Sequence, residues 1–168
     1  MPLKIFHTAD IHLGMKFSSY PEDIQSKLTE ARYNTLQRLV DCANSESCTL
    51  FVVAGDLFDR VNVNKKDIKR CTDILSEFQG DLVAVLPGNH DYIAGQSELW
   101  SSFRHQAGDR VLLLDEKRPY ELGHYDIDAV LYPAPCDKKH SHENVIGWIQ
   151  DTGKVPGKLY HIGIAHGN

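Results

Sequence analysis

The chain has 168 residues, room for one domain with a real hydrophobic core. Its composition, 42% hydrophobic and 24% charged, excludes a low-complexity or disordered chain. The net charge of -5 excludes a surface that attracts a polyanion everywhere, so a local basic patch or a bound metal must supply any affinity for nucleic acid.

Leu3 to Ala9 is a short apolar stretch whose β-branched residues suit a buried strand. From Pro21 to Glu46 the spacing of Ile24, Leu28, Ala31, Leu36, Leu39, Val40 and Ala43 predicts an amphipathic helix. Glu22 and Asp23 sit in its first turn, as the helix dipole favours. Leu50 to Ala54 is a second buried strand. Asn64 to Gln79 is a second helix with Ile68, Cys71, Ile74, Leu75 and Phe78 inward and Gly80 as its C-cap. Leu82 to Leu86 is a third strand, halted by Pro87 and Gly88. This alternation argues for an α/β fold with parallel strands and right-handed helical crossovers.

The second half is less regular. A helix over Ser97 to His105 and a strand over Val111 to Leu114 are expected. Arg118 to Leu122 and Ile127 to Tyr132 read as a hairpin around Gly123 and His124, and Pro133, Ala134 and Pro135 break the chain. A short helix near Glu143 to Gln150 and a strand from Tyr160 to Ala165 complete the reading, with Trp100 and Trp148 in the core.

The four cysteines, Cys42, Cys48, Cys71 and Cys136, form no C-x-x-C and fit no zinc-finger spacing. Free thiols in a reducing cytosol are the expectation. No apolar run approaches the roughly 20 residues needed to span a bilayer. The N-terminus has no signal-peptide pattern, so a cytoplasmic protein without a membrane partner is expected.

Chemistry collects after the strands. Asp10 and His12 follow the first, Gly55, Asp56 and Asp59 the second, Gly88, Asn89, His90 and Asp91 the third, and His166 the last. In an open α/β sheet these are the carboxyl ends, where ligands bind. Residues i and i+2 of an extended chain point the same way, so Asp10 and His12 can grip one ion. Asp56 has two oxygens with which to bridge two ions, Asn89 offers an amide oxygen and His166 a ring nitrogen. Mixed nitrogen and oxygen donors suit manganese, iron or zinc and disfavour calcium. The glycines before Asp56 and Asn89 allow a sharp turn or a close approach. Each piece alone is weak: a lone histidine is more often a core residue, Asp56 alone is a helix cap, Asn89 alone a turn residue. Their conjunction carries the reading.

Asp10-x-His12, Gly55-Asp56-x-x-Asp59 and Gly88-Asn89-His90-Asp91 resemble the first three signatures of the calcineurin-like metallophosphoesterases. Within that superfamily His7 to Gly14, Val53 to Asp59 and Pro87 to Tyr92 look most like SbcD-type DNA repair exonuclease subunits, and the bacterial YhaO-like branch in particular. The resemblance implies a four-layered α/β/β/α sandwich and two divalent ions, manganese foremost, with iron or zinc as alternatives. Asp10, His12 and Asp56 would hold one ion, and Asp56, Asn89 and His166 the other. His90 would face the scissile phosphate as a catalytic group, with Asp91 orienting it and Asp59 behind the ligands or toward the substrate. The implied activity is a DNA nuclease acting in repair, as a homodimer with a large SMC-like coiled-coil ATPase subunit.

The family carries a further Gly-His-x-His signature downstream of the place His166 occupies. The chain stops at Asn168. Residues 1–168 are therefore read as a nuclease domain truncated before its final metal-binding motif, with an exposed sheet edge prone to pairing with another copy. Two rival functions stand beside the nuclease: a phosphatase or phosphodiesterase for small molecules or phosphoproteins, and an inactive fragment or binding module.

Overall fold

The computed structural model describes residues 2–93, 98–140 and 144–167. Four parallel strands, β1 (Ile5–Thr8), β2 (Leu50–Ala54), β3 (Leu82–Leu86) and β4 (Val111–Leu113), form one sheet in that order. The crossovers between them are α1 (Glu22–Ser45), α2 (Lys65–Ser76) and α3 (Glu98–Gln106). A second sheet joins β5 (Tyr120–Glu121) antiparallel to β6 (Ala129–Ala134), and β6 parallel to β7 (Tyr160–Ala165).

Strand alternation sorts the core into two halves. Phe51, Val53, Val83 and Val85 face the helices and pack with Leu36, Val40, Ile68, Leu75 and Phe103. Leu50, Val52, Ala54, Leu82, Ala84 and Leu86 face the second sheet and meet Leu122, Ala129, Leu131 and Ile164. Each fully buried large side chain contributes about 1.5–3 kcal/mol. On the outer side of the second sheet lies α4 (Trp148–Thr152), whose Trp148 packs over Tyr132. Helices, sheet, sheet and helix give the expected α/β/β/α layering.

The helix starting after Asn64 is capped as its sequence suggests: Asn64 Oδ1 accepts from the Asp67 amide at 2.8 Å. Replacing Asn64 with Ala is expected to cost about 1 kcal/mol, read as a lower urea midpoint with an unchanged slope.

Several sequence expectations need correction. The first strand is not buried: β1 has a neighbour on one side only, and Ile5 and His7 are exposed. They line a groove of about 250 Å³ with Val52, Ala54, Ile162 and Ile164. On α1 the buried stripe is Tyr33, Leu36, Val40 and Ala43, while Ala31 lies off it and is exposed. Gly80 is not a helix cap, since α2 closes on Glu77. Gly80 passes close under the Cys48 carbonyl and the Phe78 ring, where a Cβ would collide. Pro133 does not break the chain but lies inside β6. The antiparallel ladder reaches only Leu131, and the Pro133 carbonyl accepts from the Trp148 indole at 3.1 Å. Trp148 itself is half-buried. The helix expected from Glu143 begins at Trp148. Ser97, His142 and Glu143 lie outside the described residues. Among the described residues no helix is long and apolar enough to cross a membrane.

Candidate metal centre

The β1–β2 ladder does not stop at the strand ends. The amides of Asp10, His12 and Leu13 continue it onto the carbonyls of Gly55, Asp56 and Leu57 at 3.2, 3.0 and 2.9 Å. The Asp59 amide then returns to the Leu13 carbonyl at 2.9 Å. Two loops that bear ligands are thereby locked in register, with Leu13, Leu57 and Phe58 buried beneath them. Asp10, His12 and Asp56 all take positive φ, 57°, 51° and 53°. A non-glycine residue in that region is strained, and such strain collects at functional sites.

Asp56 is 2% exposed. Its Oδ2 lies 3.8 Å from His12 Nε2 on one side and 3.4 Å from His166 Nε2 on the other. His12 Nε2 is also 3.8 Å from Asp10 Oδ1. Asp56 Oδ1 accepts from the His90 amide at 2.9 Å. Asp10, His12 and Asp56 offer ligand atoms that all fall within 4.8 Å of one another. On the other side, His166 Nδ1 lies 2.8 Å from the Ala54 carbonyl and so carries the proton. Its Nε2 faces Asp56 Oδ2 at 3.4 Å and Asn89 Oδ1 at 3.0 Å. Cis ligands at about 2.1 Å from an ion stand about 3.0 Å apart, close to the spacings here. The donor set of Asp10, His12 and Asp56 fits a divalent ion.

Both glycines are demanded by this packing. Gly55 has φ +94°, and a Cβ on it would run into the His166 ring. A Cβ on Gly88 would strike the Asp56 carboxylate and amide.

Burial holds the His12 imidazole below its ordinary value, with Asp56 opposing and His90 adding to the effect. His12 is thus neutral near pH 7, the state a ligand needs. A second convergence, His12 with Asp59 and His90, also lies within 4.8 Å. There Arg60 donates to Asp59 Oδ2 at 2.6 Å and offsets its charge, which makes this group the poorer cation site.

The expectation that Asp91 orients His90 is not what the geometry shows. His90 Nδ1 lies 3.1 Å from the Asp59 carbonyl. The Asp91 carboxylate, fully buried, accepts from the amides of Phe58 at 2.9 Å and Gly88 at 2.7 Å. It ties the second ligand loop to the third, and the Trp100 indole holds its carbonyl at 2.6 Å. Burial pushes the Asp91 carboxyl up to about 7. Sequence reasoning missed Trp100 and the Ala54 and Asp59 carbonyls in these roles, because backbone acceptors and indole donors carry no motif. His161 has its Nδ1 3.0 Å from the Tyr132 hydroxyl. The basic cluster past Asp59 is largely paired: Arg60 with Asp59, Lys69 with Asp73, and Arg70 with Glu30. Asp67 gives its backbone amide to the Asn64 cap.

Residues 3–167 match the family model described as calcineurin-like phosphoesterase. The chain is 28% identical over 174 residues to a protein of Bacillus subtilis (strain 168) named "Uncharacterized metallophosphoesterase YhaO", covering 98% of this chain and 40% of that protein. It is 30% identical over 128 residues to "Uncharacterized metallophosphoesterase Cj0846" of Campylobacter jejuni, covering 74% of this chain and 28% of that protein. The chain thus spans well under half the length of these relatives. With its ligand loops and its sheet order as described, it belongs to the calcineurin-like phosphoesterase family.

Proposed function

We propose that this chain is the catalytic domain of a cytoplasmic two-metal DNA nuclease acting in repair. The observation that carries the two-metal part is Asp56 Oδ2, set between the His12 and His166 ring nitrogens. Two divalent ions, manganese foremost, supply charge neutralisation and water activation at the phosphate when bound. Asp10, His12 and Asp56 hold one ion, and Asp56, Asn89 and His166 the other. His90, aligned through Nδ1 by the Asp59 carbonyl, presents Nε2 to the phosphate, and in its doubly protonated form it would give the Nε2 proton to the leaving oxygen. Asp91 acts at one remove by fixing the loops that carry Asp56 and Asn89. Support for DNA as the substrate comes from the motif resemblance. In the same reading the protein forms a homodimer with an SMC-like coiled-coil ATPase, and a Gly-His-x-His segment outside residues 1–168 adds a ligand to each ion.

A phosphomonoesterase reading draws on one observation. Arg60 donates to Asp59 Oδ2 at 2.6 Å and its side chain is partly exposed, which suits a terminal phosphate. A substrate panel with manganese separates the two. Nucleotide release from DNA, abolished by chelator and by His90→Gln, supports the nuclease. Turnover of a nucleoside monophosphate with single-stranded DNA left intact would sink it.

A further inference from the structure

Arg32 projects from α1 toward the first ligand loop and is partly buried there. Its Nη1 donates to the Ile11 carbonyl at 2.6 Å, the peptide between Asp10 and His12. Its Nη2 lies 3.3 Å from the Met15 sulfur, and its Cζ sits 5.3 Å from the centre of the Phe17 ring. Phe17 also has positive φ, 51°, a costly conformation for a bulky residue. Among the described residues Arg32 meets no carboxylate, and its Nε is buried without a partner. A guanidinium at this depth that forgoes an ion pair is held for its donor geometry. Its three contacts, to Ile11, Met15 and Phe17, cover the first part of the loop between the ligands and α1.

We infer that Arg32 is a positioning residue that holds the strained Asp10-Ile11-His12 turn in the shape needed to present both side chains to one cation. The charge-assisted bond from Nη1 fixes the Ile11 peptide, and with it the left-handed residues on either side. The contacts to Met15 and Phe17 keep the rest of the loop from pulling the turn away. Groups that orient ligands from behind typically change metal affinity by about 10–100-fold when removed. The cation part of this inference rests on the two-ion reading above; the part concerning the turn does not.

The test uses the full chain with Arg32→Met, which keeps the stem and removes the donors, and Arg32→Lys, which keeps one donor. Amide hydrogen exchange without metal reads the turn through His12 and Leu13, whose amides bond to the Asp56 and Leu57 carbonyls. In Arg32→Met these two amides are expected to exchange about tenfold faster while those of Leu50–Ala54 keep their rates. Manganese titration is expected to show about 10–100-fold weaker binding in Arg32→Met, with Arg32→Lys recovering part of the loss. Unchanged exchange at His12 and Leu13 overturns the inference. So does faster exchange across the whole sheet, which marks a general loss of stability. If the turn loosens as expected but the wild-type chain binds no manganese, the cation part of the inference fails for residues 1–168 and the role of Arg32 in the turn stands.

Discussion

Asp56→Asn is expected to abolish binding of both ions while leaving the metal-free fold as stable as wild type or more so. The loss follows from position: Asp56 Oδ2 lies within 3.8 Å of His12 Nε2 and 3.4 Å of His166 Nε2. Removing its charge affects both sites, so affinity should fall by more than the about 100-fold that supporting residues command. The stability half follows from burial. A carboxylate 2% exposed is costly in the metal-free protein. Asn keeps the oxygen that accepts from the His90 amide and turns a donor toward His166 Nε2. Calorimetric titration with manganese and a thermal melt in chelator check both halves. Two ions bound by the variant at wild-type affinity would remove Asp56 as the shared ligand.

Asp91→Ala is expected to destabilise the fold by about 3–5 kcal/mol. The carboxylate accepts from two buried amides, Phe58 and Gly88. Each orphaned amide costs about 1–3 kcal/mol, and the missing side chain leaves a small void. For a domain of this length such a loss lowers Tm by about 10 °C, a large share of a typical stability of about 5–15 kcal/mol. Asp91→Asn retains one good acceptor and a near-neutral mimic of a carboxyl that burial pushes up to about 7, so about half the cost is expected. Denaturant unfolding of both variants is the measurement. A cost under about 1 kcal/mol for Ala would show that the loops hold together without this cross-link.

Much of this was legible in the sequence because two strong signals agree. The apolar runs Leu50–Ala54, Leu82–Leu86 and Tyr160–Ala165 coincide with β2, β3 and β7. The polar residues past each strand end converge because parallel strands put their carboxyl ends on one edge. What escaped reading depends on neighbours that no local pattern encodes. The first strand reads as buried from composition, but its place at the sheet edge leaves Ile5 and His7 exposed. Gly80 has the residue type of a cap but serves a close backbone crossing. Pro133 resembles a breaker until the short reach of β5 is known. Asp91 adjoins His90 in sequence, yet its side chain turns inward to amides from two other segments. Arg32 lies 21 residues from the carbonyl it holds.

The exposed edge position of β1 has a thermodynamic consequence. Asp10 and His12 hang on a strand with one hydrogen-bonded neighbour, so fraying of the first ten or so residues and loss of the first ion's ligands are a single equilibrium. By mass action, an ion present at about 100 times its dissociation constant opposes that fraying by about 2.7 kcal/mol. An ion held by Asp10 and His12 would thereby act as a reversible clasp on β1, and metal supply would set how long this segment stays beyond the reach of a protease.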